Sequence, residues 1–241
     1  EFIPKSATLI SLIKGLEQGT GLRMSEVMAA ATGMPMTHMA VVSGPNLALE
    51  IANQEPTASV AASSSQKTAE AVAAVSSNSY FTTFTNNDVI GTEFGGILKN
   101  LIAVAIGIVN GVGYGQNTKA SIMTRGLAEV TRFAVAYGAK EKTMVGLAGL
   151  GDLIATSESS LSRNHKAGEM LGKGYTLREV QRRMAQTAEG LSSVAPILQL
   201  AKAKGISMPI VEQVQLVLDG KMNPRDIAPH LTHGADGPIG E

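Results

Sequence analysis

The stretch GTEFGGILKNLIA (residues 91–103) decides the fold, because it begins a long and largely apolar helix. Apolar residues recur there at the i, i+3, i+4, i+7 spacing of one buried helix face, namely at Leu98, Leu101, Ile102 and Ala105. Lys99 lies within this run, and no acidic residue stands beside it on the next turn. Since burying a lone ammonium group is costly, two interpretations of Lys99 stay open: a surface side chain whose ammonium reaches water, or a buried functional group.

The composition excludes several classes of protein. The chain has 241 residues, of which 44% are hydrophobic and 17% charged, and this is enough for one large or two smaller domains. The net charge of +0 and the absence of a basic run argue against a nucleic-acid partner. No cysteine is present, which excludes disulfides and thiol nucleophiles. We find no uninterrupted apolar run of membrane-spanning length and no signal-peptide pattern, so we expect a cytoplasmic protein without membrane insertion.

Strands and helices are expected to alternate in the first third of the chain. The pattern predicts strands at residues 7–13, 38–42, 57–62 and 80–84, and helices at 24–31, 46–52 and 66–75. Such alternation favours a parallel sheet with right-handed crossovers. After residue 86 only helices are predicted, at 89–109, 119–137, 161–171, 177–185, 194–203 and 210–218, with a short one near Ile227.

The predicted fold class is therefore α/β followed by all-α: a partial Rossmann-like parallel sheet, then a helical domain. We expect residues 1–86 to belong to a dinucleotide-binding domain and residues 87–232 to a helical catalytic domain. Residues 233–241, which are rich in glycine, are expected to form a flexible tail.

Two segments follow predicted strands and could bind a ligand. Lys14 stands after the first strand, and the turn SGPN (residues 43–46) stands after the second. In open α/β sheets the ligand crevice lies beyond the carboxyl ends of the strands. Asn46 is also a candidate N-cap for the helix that follows. The alternatives are a solvated lysine and a turn with a purely structural role.

Two later motifs carry candidate chemistry. Asp152 is a single acid among glycines and apolar residues in GLGDLIAT (residues 149–156), so it could pair with Lys99 or cap a helix. Ser162, Arg163 and Asn164 offer a hydroxyl, a guanidinium and an amide in succession, which suits a phosphate. They could equally begin a solvated helix.

Two other patterns are interpreted as structural. The glycine-rich segment at residues 110–119 follows a predicted helix, whereas a dinucleotide fingerprint must follow a strand, so we expect a helix–helix connection there. His230 and His233 have no evident third ligand near them, and no metal site is predicted.

Five motifs in this order resemble those of the bacterial NAD(P)-dependent glycerol-3-phosphate dehydrogenases: GPN (44–46), EFGGILKN (93–100), GQNTKA (115–120), GLGDL (149–153) and SRN (162–164). The resemblance extends from about residue 3 to residue 231. It implies hydride transfer between NAD(P)H and dihydroxyacetone phosphate, giving sn-glycerol 3-phosphate for phospholipid synthesis. It also implies a helical domain of the 6-phosphogluconate-dehydrogenase-like type, a small phosphorylated substrate and a homodimer.

The resemblance also implies roles for individual residues. Lys99 would be the catalytic general acid and base. The implied substrate contacts are Lys14, Gly44, Asn46, Lys99, Asp152, Ser162, Arg163 and Asn164. The implied cofactor contacts are Lys14, Ala48, Arg163, Thr187 and Glu189. Family members often carry serine or threonine where Asn46 stands.

One departure from the family concerns the cofactor. Family members begin with a strand and a Gly-x-Gly-x-x-Gly or Ala turn that binds the pyrophosphate, and this sequence starts after that turn. We therefore expect a fragment that does not bind NAD or NADP normally, and the preference between the two cofactors stays open. Two alternatives remain: another 6-phosphogluconate-dehydrogenase-like oxidoreductase, or an inactive helical association fragment.

Overall fold

The computed structural model describes residues 3–159, 161–184 and 188–227. The chain divides into two compact units. Unit 1 comprises Glu1–Lys99 and Val130–Ala155, and unit 2 comprises Asn100–Glu129 and Thr156–Glu241. The domain limit at residue 86, drawn from the sequence pattern, falls inside unit 1 and stays a prediction.

Unit 1 contains a four-stranded sheet. Its strands are β1 (Leu9–Ser11), β2 (Met39–Ser43), β3 (Thr57–Ala62) and β4 (Phe81–Asn86), and they lie in the order β1-β2-β3-β4. The pairs β1–β2 and β3–β4 are parallel. Every residue of β2 is buried. With the helices that follow the sheet, the predicted class of α/β followed by all-α is confirmed.

The pairing of β2 with β3 is antiparallel, contrary to the expected fully parallel sheet. The short helix α2 (Ala48–Ala52) explains the difference. Its five residues rise only about 7.5 Å, whereas a strand of five residues is about 17 Å long. A parallel crossover must travel the length of the sheet, and this connection instead returns at the edge where β2 ends.

The other helices of unit 1 pack around this sheet or follow it. They are α1 (Met24–Thr32), α3 (Gln66–Ser76), the first part of α4 (Val89–Val112), the last part of α5 (Gln116–Ala136), α6 (Glu141–Met144) and the start of α7 (Asp152–Glu158). A single 3₁₀ turn covers Met36–His38, and a π-helical turn covers Leu147–Gly151. The sequence pattern did not predict α6 or the π-helical turn, and it raised α7 only as the helix that Asp152 could cap. These short segments have too few turns for a periodic apolar face to be recognised.

The helix α4 is long and apolar enough to cross a membrane by length and composition, with a mean hydropathy of 1.6 over its most apolar window. The apolar run in this helix is not continuous, because Glu93, Lys99 and Asn100 interrupt it. Within that window 83% of the residues are buried inside the protein. The helix therefore has the burial expected of a core helix.

Unit 2 is helical. It contains the remaining parts of α4, α5 and α7, together with α8 (Arg163–Gly172), α9 (Leu177–Arg183), α10 (Glu189–Ala203), α11 (Pro209–Leu218) and a 3₁₀ turn at Pro224–Ile227. The glycine-rich segment between α4 and α5 is the expected helix–helix connection. A capping box formed by Thr176 and Glu179 begins α9.

Four glycines bring α4 and α8 into backbone contact within unit 2. A Cβ atom on Gly107 or Gly111 would overlap a carbonyl oxygen of α8, and one on Gly168 or Gly172 would overlap a carbonyl oxygen of α4. The absence of side chains on both helices allows this approach. The start of α8, which carries Arg163 and Asn164, is therefore held firmly against α4.

Candidate functional site

Two lysine side chains share one buried carboxylate in unit 1. The Nζ atom of Lys99 lies 2.7 Å from Oδ1 of Asp152, and the Nζ atom of Lys14 lies 2.5 Å from Oδ2. Lys14 also donates a hydrogen bond of 3.0 Å to the carbonyl oxygen of Gly44. Lys99 is 8% exposed and Asp152 is 2% exposed, so the interpretation of Lys99 as a surface lysine does not hold. We call Lys14, Lys99 and Asp152 the lysine–aspartate cluster.

Four segments of the chain position this cluster. Lys14 follows β1, Gly44 follows β2, Lys99 lies on α4, and Asp152 begins α7 directly after the π-helical turn. A Cβ atom on Gly95 would overlap the carbonyl oxygen of Ala148, so only glycine lets α4 approach the π-helical turn this closely. The sequence places Asp152 beside Lys99 through this contact.

The charges of the cluster decide what it can do. Two ammonium groups face one carboxylate in a setting from which water is largely excluded, since the side chain of Lys14 is 19% exposed and that of Lys99 is 9% exposed. Fully hydrogen-bonded ion pairs are the form in which buried charges are tolerated. An ammonium held in this way can deliver a proton to an oxygen atom that develops negative charge.

A second polar cluster lies in unit 2 at the start of α8. Ser162 caps this helix, and its hydroxyl accepts a hydrogen bond of 3.2 Å from the backbone N–H of His165. The side-chain amide of Asn164 donates to Oδ1 of Asn100 at 2.9 Å, and its oxygen accepts from the backbone N–H of Gly190 at 2.8 Å. Asn164 is buried, which sets it apart from a solvated helix start.

Arg163 differs from its buried neighbour. Its side chain is 48% exposed and lies 3.7 Å from a carboxylate oxygen of Glu189, which is itself half exposed. Such an exposed pair contributes little to stability. A guanidinium that is not buried can meet an oxyanion without a large desolvation cost.

The remaining predicted site residues fall on the turn after β2 and near α10. Ala48 is the exposed first residue of α2. Glu189 is the first residue of α10. Thr187 lies outside the described residues.

The expectation that Asn46 caps α2 is wrong. Leu47 occupies the cap position of that helix, with no side-chain hydrogen bond, and Asn46 instead donates from Nδ2 to Oγ of Ser59 at 3.0 Å. Asn46 bonds to Ser59 on β3 rather than to the start of α2, because the Ser59 hydroxyl is fully buried and its oxygen accepts the hydrogen bond that Asn46 donates.

Sequence reasoning missed a buried acidic residue that supports the site. Glu93 lies on α4 and accepts hydrogen bonds from the backbone N–H of Ser25 at 2.9 Å, from the Ser25 hydroxyl at 2.7 Å and from Arg23 at 2.6 Å. These contacts fix α4 to α1 six positions before Lys99. A single acid in an apolar helix was the available signal, but its partners are about 70 positions away and could not be read from spacing.

The end of the sheet presents polar groups that could bind a polar ligand. β1 and β2 are parallel, so their carboxyl ends share one edge, and Lys14 and Gly44 follow them there. The hydroxyl of Ser43, at that edge, is buried and has no hydrogen-bond partner. Within residues 3–159, 161–184 and 188–227, no group of three histidine or acidic side chains could hold a metal ion, and the two histidines near the carboxyl end lie outside those residues.

Comparison with known families matches nearly the whole chain. Residues 88–229 match the family described as NAD-dependent glycerol-3-phosphate dehydrogenase C-terminus. Residues 1–69 match the family described as NAD-dependent glycerol-3-phosphate dehydrogenase N-terminus. The C-terminal match begins next to the start of α4, and residues 70–87 lie between the two matches.

Curated relatives are similar over most of this chain. An NAD(P)-dependent glycerol-3-phosphate dehydrogenase from Leifsonia xyli is 63% identical over 240 residues, which are 100% of this chain and 65% of that protein. One from Frankia casuarinae is 50% identical over 98% of this chain and 70% of that protein. The chain thus spans about two thirds of the length of these relatives.

A solved structure has the same fold. The crystal structure of a glycerol-3-phosphate dehydrogenase from Coxiella burnetii superposes with a TM-score of 0.87 at 36% identity. The superposition covers 93% of this chain and 68% of that one.

Proposed function

Since the chain belongs to the NAD-dependent glycerol-3-phosphate dehydrogenase family, we propose that its protein interconverts dihydroxyacetone phosphate and sn-glycerol 3-phosphate. The observation that carries the proposal is the buried ion pair of Lys99 with Asp152, which Lys14 also joins. A lysine held without solvent and aimed by a carboxylate is suited to moving a proton at a carbonyl oxygen.

Lys99 is the proposed general acid. When the carbonyl carbon of dihydroxyacetone phosphate accepts a hydride, its oxygen gains negative charge and takes a proton from Nζ of Lys99. In the reverse direction Lys99 takes the hydroxyl proton. Asp152 holds the Lys99 ammonium in place through the 2.7 Å contact, and Lys14 adds a second positive charge that stabilises the developing oxyanion.

The other proposed substrate contacts are of two kinds. Gly44 and Asn46 lie on the turn after β2, where a substrate hydroxyl could bind. Ser162, Arg163 and Asn164 offer the hydroxyl, guanidinium and amide that suit a phosphate dianion. The half-exposed guanidinium and the helix start at Ser162 support the assignment of the phosphate to these residues.

The proposed cofactor is NAD or NADP, which when bound would supply the hydride. Lys14, Ala48, Arg163, Thr187 and Glu189 are the proposed contacts. The unpartnered Ser43 hydroxyl and the lysine at the end of β1 support a polar ligand beside the sheet.

Replacement of Lys99 tests the proposal. In the protein expressed from its whole gene, Lys99→Ala should lower kcat for dihydroxyacetone phosphate by about 10²–10⁴-fold, the usual loss of a general acid. The matched control is Lys140→Ala, because the Lys140 ammonium is exposed and donates a hydrogen bond of 2.6 Å to Oδ1 of Asn87. Near-normal turnover by Lys99→Ala would remove the assigned role.

Two competing functions are separated by the same assay. Another oxidoreductase of the 6-phosphogluconate-dehydrogenase-like group would reduce a different small phosphate or carboxylate and leave dihydroxyacetone phosphate unchanged. An inactive association fragment would show no reduction of any of these. The proposal further includes a cytoplasmic homodimer whose product enters phospholipid synthesis, and light scattering of the purified protein tests the dimer.

A further inference from the structure

Among the described residues of unit 1, the buried side-chain polar atoms that lack a hydrogen-bond partner are confined to one turn. Among the described residues of this unit, the buried side-chain polar atoms without a hydrogen-bond partner are Oγ of Ser43 and Oδ1 of Asn46. Both lie on the turn at residues 43–46, whose Gly44 carbonyl oxygen accepts from Lys14. Since native proteins pair nearly all buried polar atoms, two exceptions on one turn beside the lysine–aspartate cluster indicate a ligand that supplies the missing partners.

The hydroxyl of Ser59 determines which end of the Asn46 amide meets that ligand. Ser59 lies on β3 and is fully buried, and its Oγ donates to the carbonyl oxygen of Ser43 at 3.1 Å. A hydroxyl has one proton, so Oγ of Ser59 can only accept from Asn46. The group of Asn46 that faces Ser59 must therefore be the NH₂, at 3.0 Å, and Oδ1 is turned the other way.

The close packing of Gly44 keeps this arrangement in place. A Cβ atom on Gly44 would lie 3.1 Å from Cα and 3.3 Å from Oγ of Ser59, tighter than ordinary van der Waals contact. The turn therefore lies directly on Ser59, and the hydrogen bond to Asn46 follows from that packing.

We propose that Ser59 is a positioning residue that orients Asn46 so that Oδ1 accepts a hydrogen bond from a ligand donor. The proposal rests on the proposed function for its ligand, and the primary hydroxyl of dihydroxyacetone phosphate is the donor that the substrate offers. A carboxamide N–H of the dinucleotide has the same chemistry and is the other possible source. In either case the subsite accepts a donor and rejects a group that has none.

A comparison of two ketones tests this proposal in the protein expressed from its whole gene. Hydroxyacetone phosphate carries a methyl group where dihydroxyacetone phosphate carries a hydroxymethyl group, so it lacks the primary hydroxyl. The wild type should prefer dihydroxyacetone phosphate in kcat/KM, and Asn46→Ala should reduce that preference about tenfold or more, as expected for a buried acceptor that loses its donor. Ser59→Ala should reduce it in the same direction, with the loss confined to the hydroxylated ketone.

The matched control is Ser63→Ala. Ser63 is also fully buried, follows the same strand, and donates to a carbonyl oxygen of β2, that of Met39, at 2.7 Å. It should destabilise the fold as Ser59→Ala does and leave the preference between the ketones unchanged. Equal losses for both ketones in Ser59→Ala and Asn46→Ala, with KM for NADH unchanged in both variants, would reduce these residues to a structural role and overturn the proposal.

The KM for NADH and the ketone preference of Asn46→Ala together identify which molecule supplies the donor. If Asn46→Ala raises KM for NADH and leaves the preference between ketones intact, the donor belongs to the dinucleotide. If it changes the preference, the donor is the substrate hydroxyl.

A spectroscopic measurement keeps this test separate from the proposed function. If the wild type reduces neither ketone, the proposed function fails, and the orientation is judged from the side-chain amide signal of Asn46 in ¹H–¹⁵N spectra, assigned by its loss in Asn46→Asp. That signal should shift in Ser59→Ala and stay in place in Ser63→Ala, and it should shift when sn-glycerol 3-phosphate or NADH is added. A signal that responds to neither Ser59→Ala nor these ligands would overturn the proposal.

Discussion

In unit 1 three charged side chains share a buried site, whereas in unit 2 the buried polar contacts at the start of α8 join neutral amides. The lysine–aspartate cluster contains two ammonium groups and one carboxylate at 2.5 and 2.7 Å. Asn164 meets Asn100 and a backbone N–H, and the charged neighbour Arg163 stays half exposed. The difference is chemical: an ammonium group beside a carboxylate can exchange a proton, whereas neutral amides and an exposed guanidinium offer only hydrogen bonds and a fixed charge.

Removal of the shared carboxylate should give the largest effect on stability. Asp152→Ala removes this partner from the buried Lys99 ammonium and from the partly exposed Lys14 ammonium, and breaking a buried ion pair costs about 3–5 kcal/mol. Chemical denaturation of the variant measures the loss. The control is Glu189→Gln, which removes a half-exposed carboxylate near Arg163 and should cost under about 1 kcal/mol. Similar losses in the two variants would contradict the distinction between the buried and the exposed pairs.

A methyl group between α4 and α8 should have the next largest effect. In Gly107→Ala the new Cβ would overlap the carbonyl oxygen of His165, so the helices must separate at a cost of about 1–3 kcal/mol. Gly115→Ala is the matched control, because a Cβ atom there meets nothing within 4 Å, and it should change stability by no more than about 0.5 kcal/mol. Thermal denaturation compares the two. An equally mild effect of Gly107→Ala would show that the helix contact is adjustable.

The smallest effect concerns pH and His165. Burial lowers the pKa of His165, and the nearby Glu169 carboxylate only partly offsets this. Because the pKa in the folded protein lies below the unfolded value of about 6.5, the unfolded chain takes up the proton first as the pH falls. Stability should therefore be unaffected above about pH 7 and should decrease as the pH falls through 6.5.

The measurement is the free energy of unfolding between pH 8 and pH 5 for the wild type and His165→Gln. The variant should show a shallower decrease over this range, since it has no proton to take up at that position. A parallel decrease in both proteins would assign the pH dependence to other groups.

The sequence predicted elements best where local pattern and burial agree. The strand at Thr57–Ala62 was predicted with its observed bounds, and the buried face of α4 followed from apolar spacing. The antiparallel pairing of β2 with β3 was not predicted, because the strand–helix alternation hides how short α2 is.

In the candidate site, too, local sequence features could be predicted and long-range contacts could not. A lone acid and a lone lysine in apolar surroundings drew attention to Asp152 and Lys99, and the structure pairs them across 53 positions. The proposed role of Ser59 could not be predicted from the sequence. It depends on the hydrogen bond that the Ser59 hydroxyl donates to the carbonyl oxygen of Ser43, and sequence spacing does not reveal this contact. Long-range hydrogen bonds carry the information that spacing lacks.

The glycine contact between α4 and α8 has a genetic consequence. Every missense change in the codons of Gly107, Gly111, Gly168 or Gly172 adds at least a Cβ atom, and each of these atoms would overlap a backbone carbonyl oxygen of the facing helix. No side chain can move aside to accept it, because the obstacle is the main chain itself. In a saturation screen of the gene these four codons should therefore be depleted of alanine as strongly as of larger residues. A substitution at any of them can be accepted in evolution only after other changes have moved the two helices apart.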